Sequence, residues 1–216
     1  MTIMLSLRTV APLDSFKRVL LAALLIVWAV SCIRLPYPEY FAMQHVPTVF
    51  AVMAILVVDR RYGMSRLGFA LVITFLLLHV FGARYLYSYV PYDDWSRRLV
   101  GFPISERFGF ERNHYDRFVH FAFGLLLIVP LWQFGEKNLG LRATWAALGS
   151  VCVVLAASAA YEVAEWAVAM SLAPDWADAY NGQQGDVWDA QRDMALAWIG
   201  SVIGVLFVAL FRLRRG

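Results

Sequence analysis

Residues 194–211 read MALAWIGSVIGVLFVALF, and Arg212, Arg214 and Arg215 follow directly. The hydrocarbon core of a bilayer is about 30 Å thick, and a helix crosses it with roughly 20 mostly apolar residues. This stretch approaches that length, carries no charge, and ends in basic residues of the kind that mark a cytoplasmic helix end. It offers water no polar face, so it predicts a membrane-spanning helix rather than an amphipathic one. Gly200 and Gly204 supply a small-xxx-small spacing that lets such a helix pack closely against another.

Working back toward the N-terminus, five further apolar runs meet or approach the same length: 143–170, 118–134, 67–87, 42–58 and 19–35, the last led by Lys17 and Arg18. Together they predict an all-α integral membrane bundle of about six transmembrane helices, folded as a single domain over 1–216. The run at 143–170 is long enough to tilt or to project past the bilayer. The run at 19–35 has the basic flank of a secretory leader. Its apolar stretch is too long for one and lacks a clean small-x-small site, so it reads as an anchor.

Composition agrees. The chain is 61% hydrophobic and 16% charged, with a mean hydropathy of +0.59. Soluble domains carry about 25% charged and about 45–50% apolar residues. The net charge of +3 comes without a basic stripe interleaved with aromatics, which excludes a nucleic-acid surface. Cys32 and Cys152 lie in apolar runs at different expected depths, so they read as small buried hydrophobes and not as a disulfide.

Basic residues set the orientation. With the N-terminus inside, Arg8, Lys17, Arg18, Arg60, Arg61, Arg66, Lys137, Arg142, Arg212, Arg214 and Arg215 face the cytoplasm, accompanied only by Asp14, Asp59 and Glu136. The other basic residues and all remaining acids lie outside, and six passes return the C-terminus inside. Two long segments then face outward. Residues 91–117 carry Arg97, Arg98, Arg107 and Arg112 with Trp95, Phe102, Phe108 and Phe110. This exceeds a simple connection and predicts short amphipathic pieces along the interface. Residues 173–187 form an acidic loop rich in Gly and Asn.

Three polar stretches interrupt the apolar pattern at the outer helix ends, where ionisable residues usually face the bundle interior. In the first, Asp116 and His120 are four apart and share a helix face. A carboxylate beside an imidazole fixes its tautomer and suits a general base or a metal ligand. It equally suits an acid complementing the helix dipole beside a bonded histidine. In the second, Glu162 and Glu165 share a face behind the small residues 156–160. Two adjacent carboxylates need a cation, a shared proton or water. In the third, Asp186, Asp189 and Asp193 fall at helical spacing, with Asp186 a candidate N-cap. Asp193 lies a full turn further in, against the apolar run. If these helix ends converge, the site collects Asp116, His120, Glu162, Glu165, Asp189 and Asp193. Of these, His120, Glu162, Glu165, Asp189 and Asp193 are candidate ligands for a hard or borderline divalent cation. His79 and Arg84 stand further back, and His45 opens the second run.

These residues carry a resemblance. RNHYDRFVHFAFG (112–124), YEVAEW (161–166) and GDVWDAQRDMALAWIG (185–200) resemble the YjdF-like inner-membrane family of bacteria, from about His79 onward. The resemblance implies a bacterial inner (plasma) membrane location and no established activity. More distantly, the chain is similar to VanZ-like membrane proteins, some of them linked to glycopeptide-antibiotic resistance. Their pattern has an acid four residues before a histidine, then a glutamate, then an aspartate followed by Asn and two glycines. Asp116 and His120 match the first part, Glu162 or Glu165 the second, and Asp193, Gly200 and Gly204 the last. Ala197 stands where that pattern has Asn.

Three functions compete. The first is a membrane enzyme acting on an envelope or lipid-linked substrate at the outer leaflet. It would hold a divalent metal or use His120 as general base among orienting carboxylates. The chain lacks G-x-S-x-G, H-E-x-x-H and P-loop motifs. The second is a proton-coupled transporter, which the clustering of charge at one end disfavours. The third is a non-catalytic scaffold whose polar motifs hold helices together. Membrane lipids are the expected surroundings in each case. The sequence sets no oligomeric state.

Overall fold

The computed structural model describes residues 13–171 and 183–214, and every regular element among them is helical. Helix α1 (Ser15–Ser31) begins where the Asp14 carboxylate accepts the Lys17 amide at 3.0 Å, satisfying one of the free N–H groups of a helix start. It therefore starts four residues before the apolar run and draws Lys17 into its first turn. The Lys17 stem is buried, and its ammonium reaches the Asp59 carboxylate and the Met64 carbonyl, each at 2.6 Å. Long cations behave this way when an apolar stem can be buried and the charge still find a partner. The helix also stops at Ser31 instead of residue 35. The Arg84 guanidinium takes the carbonyls of Ser31, Ile33 and Arg34, which terminates the ladder. Arg84 thus ties two helix ends together.

A 3₁₀ turn (Pro38–Tyr40) leads into α2 (Phe41–Tyr62), followed by α3 (Arg66–Arg84). Leu86 and Tyr87 then adopt left-handed φ values of 50° and 56°, so the third apolar run turns before reaching residue 87 in a helix. The long outer segment contains the expected short helices, α4 (Tyr92–Val100) and α5 (Ile104–Phe108). Three long helices complete the described chain: α6 (Tyr115–Leu139), α7 (Ala143–Ser171) and α8 (Asp189–Leu213). Both α6 and α8 begin before their apolar runs, at 115 and 189 rather than 118 and 194. Their first turns are built from the polar motifs themselves.

Five helices, α2 with its 3₁₀ turn, α3, α6, α7 and α8, are long and apolar enough to cross a membrane. At 17 residues, α1 is shorter. It runs beside α3 from the Asp14–Arg66 pair at 3.2 Å to the Arg84–Ser31 bond, so it covers the same depth. At one end of the bundle lie the Lys17–Asp59 pair, the Lys137 bond to the Gly63 carbonyl and the two-pronged Arg212–Glu136 pair. These join the starts of α1 and α3 to the ends of α2, α6 and α8. Both termini of the described chain therefore sit at the basic end, as inside termini would. Arg8, Arg215 and most of the acidic loop at 173–187 lie outside the described residues.

Helices α6 and α8 pack most intimately. A Cβ on Gly200 would meet the Phe121 carbonyl oxygen at 2.1 Å, and one on Gly124 the Ala197 carbonyl oxygen at 1.9 Å. Only glycine permits that approach. Gly204 is looser, with its nearest neighbours at 3.1 Å. Helix α7 turns a stripe of small residues, Ala146, Ala147, Ser150, Val154 and Ser158, inward. Helix α3 packs against α1 and α2 on one side and α6 on the other. Both cysteines are free, and Cys152 faces outward from the bundle instead of lying buried within it.

Candidate functional site

The site begins with how α6 starts. Asn113 fixes the turn: its side-chain oxygen accepts the Tyr115 amide at 3.0 Å, and its side-chain nitrogen donates to the Val90 carbonyl at 2.8 Å. The Tyr115 hydroxyl donates to the Leu78 carbonyl at 3.0 Å and pins this turn to α3. Asp116 then falls in the first turn, where an acid complements the helix dipole. His120 follows one turn deeper and is buried. Its Nε2 points toward two carboxylates, Asp116 Oδ1 at 3.7 Å and Glu162 Oε1 at 3.4 Å. Both separations exceed a normal hydrogen bond.

Asp193 reaches the same point from α8. It is 2% exposed, and its Oδ1 has no hydrogen-bond partner among the described residues. The close glycine contact of α6 and α8 brings it there. Ligand atoms of Asp116, His120 and Asp193 all lie within 4.8 Å of one another. Donors around an ion bound at about 2.0–2.6 Å are separated by no more than roughly 4–5 Å, so the set is of the right size for one cation. Glu162 Oε1 is also buried without a hydrogen bond among the described residues. Glu165 takes a hydrogen bond from Tyr161 and lies within electrostatic range of Asp116, Glu162 and Asp193.

Asp189 and Asp186 are placed differently. Arg112 grips both oxygens of Asp189, while Asp186 bonds Arg117 and, at 2.6 Å, Arg192. Asp186 is not the helix N-cap, a position held by Trp188. It lies two residues earlier and accepts the Trp188 amide at 3.1 Å. Only Asp189 and Asp193 therefore share the face of α8. Burial works against ionisation of Asp186, but the Trp188 amide and the charges of Arg192, Arg117 and Arg112 outweigh it and hold the carboxyl below its usual value. Burial, with Arg117 and Arg112 nearby, holds His114 below the usual imidazole range. His114 stacks on Phe110 with centroids 4.0 Å apart. The sequence reading did not single out Arg112 and Arg117 as partners of these acids. The signal was available: basic residues that break the inside rule invite a search for acids beside them.

The other histidines are committed elsewhere. His79 has one ring nitrogen 2.8 Å from the Thr48 hydroxyl and the other on Tyr87. His45 accepts the Trp28 indole N–H at 3.0 Å. His79 does line a cavity of about 240 Å³ whose wall includes Asp116, His120 and Tyr161, so it faces the site without a free nitrogen to offer.

The comparisons with known proteins bear on the chain as a whole. The family described as Predicted membrane protein (DUF2238) matches residues 16–214. The Inner membrane protein YjdF of Escherichia coli (strain K12) is 33% identical over 174 residues, covering 80% of this chain and 79% of that protein. No solved structure matches.

Proposed function

This chain belongs to the DUF2238 family of predicted membrane proteins and is a multi-pass protein of the bacterial inner membrane, and on that premise we propose that it is a metal-assisted enzyme acting on an envelope or lipid-linked substrate at the outer leaflet. One observation carries the reading: the buried Asp193, one oxygen of which has no hydrogen-bond partner among the described residues, converges with Asp116 and His120 from another helix. An isolated buried carboxylate is costly, and two of them beside one imidazole are best satisfied by a cation. Two carboxylates and an imidazole suit a divalent ion between hard and borderline, such as manganese, iron or zinc.

In this reading Asp116, His120 and Asp193 hold the ion. It would polarise a substrate oxygen or acidify a bound water. Glu162, on the facing helix, is placed to orient His120 or to take a proton. Glu165 backs Glu162 from one turn further along α7. Asp189 belongs to the arginine clasp and acts through position, keeping the start of α8 against α6. A transporter would need ionisable groups continuing into the inner half. The inner charges described above instead pair off at the bundle's end.

The test is divalent metal measured by mass spectrometry on detergent-purified protein, beside His120→Ala and Asp193→Asn. About one ion per chain in the wild type, lost from both variants while they remain monodisperse, is the expected result. Protein that stays metal-free after repletion without chelator would sink the metal reading and leave the scaffold ahead.

A further inference from the structure

The cavity beside Asp116 and His120 does not end with them. A second cavity of about 410 Å³ lies deeper in the bundle, and the two share Ala51, Phe75 and Leu76. Both occupy the space between α2 and α6, with α3 as floor. Helix α3 packs against each of those helices, whereas α2 makes no comparable contact with α6 or α7 among the described residues. The trough is lined along α6 from Asp116 to Asn138, which at 1.5 Å rise per residue is about 33 Å. That matches the roughly 30 Å depth of bilayer hydrocarbon.

The lining changes character along its length. At the outer end stand Asp116, His120, His79 and Tyr161. The body is aliphatic and aromatic, with Phe75, Leu76, Leu127 and Leu131 facing Ala51 and Ala54 of α2. Small side chains on α2 leave the room. The inner end is drawn together by polar bonds, Ser65 to Gln133 at 2.5 Å and Lys137 to the Gly63 carbonyl at 2.7 Å. A trough tied at one end and headed by a polar site at the other is shaped for a molecule with one tail and one head. A permeation path would need both ends open.

We infer that this trough binds the single long hydrocarbon chain of a phosphorylated membrane lipid, whose head group lies at the Asp116–His120–Asp193 site. Two features select this occupant over a packing helix from a second copy. The trough runs directly to Asp116 and His120, with Asp193 buried behind them, and phosphate oxygens are suitable partners for a divalent ion held by carboxylates. The head-group part of the inference rests on the metal reading above, and the chain-binding part does not.

The probe is lysophosphatidate, a one-chain phosphate lipid, added with manganese to the full-length protein and read by native mass spectrometry on release from detergent. The wild type is expected to retain one lipid per chain. Ala51→Trp fills the point where the two cavities meet, and Ala54→Phe narrows the inner half. Each should lower the bound fraction at least tenfold with metal content unchanged. Variants that elute as folded protein and bind lipid like the wild type overturn the inference. So does an Ala51→Trp protein that passes from dimer to monomer with no change in lipid. Lipid binding that is blocked by tryptophan in a protein that takes up no metal supports the trough and defeats the metal reading.

Discussion

Asp59 and Asp193 are both aspartates buried on spanning helices, at opposite ends of the same bundle. Asp59 is paired with a cation: the Lys17 ammonium lies at 2.6 Å and the Met64 amide at 3.0 Å, both on Oδ1. Asp193 leaves Oδ1 without a hydrogen-bond partner among the described residues, and its carboxylate lies within 4.8 Å of ligand atoms of Asp116 and His120. The inner end repeats the first pattern in Asp14–Arg66 and Glu136–Arg212. The outer end is split, with Asp186 and Asp189 clasped by arginines while Asp116, Glu162 and Asp193 are left facing one imidazole. Acids matched to cations close the inner end, and the acids in surplus at the outer end are where the proposed ion would sit.

The comparison is broken most completely by separating α6 from α8. Gly200→Leu would drive a side chain into the Phe121 carbonyl, where even a Cβ stands at 2.1 Å. Overpacking costs typically about 1–3 kcal/mol where side chains can yield and more where only backbone is met. The expected outcome is loss of the monodisperse peak in size-exclusion chromatography. Gly204→Ala, with neighbours at 3.1 Å, should survive with a small drop in thermal stability. If both variants behave alike, the close approach at Gly200 does not hold Asp193 in place.

The next effect separates the two aspartates directly. Lys17→Met leaves Asp59 buried and unpaired, a change that costs about 3–5 kcal/mol in comparable buried pairs. A large fall in the unfolding temperature in detergent is expected. Asp193→Asn keeps the shape and removes one of several crowded carboxyl groups. In the presence of chelator its unfolding temperature should hold or rise. Were Asp193→Asn to destabilise as strongly as Lys17→Met, Asp193 would be a structural partner, and the scaffold reading would replace the catalytic one.

Much of this was legible in the sequence, for a definite reason. Apolar runs bounded by arginines are set by the bilayer and need no tertiary knowledge, so the spanning helices and the placing of both chain ends at one end of the bundle could be read directly. The boundaries could not, because they depend on partners distant in the chain. Asp14 starts α1 early, Arg84 ends it, and the Asn113 turn lets α6 begin at Tyr115. Spacing placed Asp116 with His120 and Asp189 with Asp193. It could not say that Arg112 would occupy Asp189 and leave Asp193 free, since that sorting spans 77 residues of chain. The trough was invisible for the same reason, because among the described residues its walls belong to helices joined chiefly through α3.

The smallest effect tests whether the clasped outer acids behave like the inner ones. Asp186 lies outside the spanning helices, and its carboxyl is held below the usual value against the opposing effect of burial. A carboxyl with a depressed folded-state value contributes stability that is fully present above its unfolded value, about 3.9, and is lost as pH falls through the lower folded value. Wild type should therefore exceed Asp186→Asn in unfolding temperature at neutral pH by a margin that stays constant down to about pH 5, well above the unfolded carboxylate value. Below that the margin should shrink and vanish as the carboxyl protonates. No margin at neutral pH would mean that Asp186 acts through its bond to the Trp188 amide alone, a bond that the oxygen of an asparagine side chain could also accept. Arg112 and Arg117 would then owe their places to Asp189, and the clasp would rest on that one aspartate.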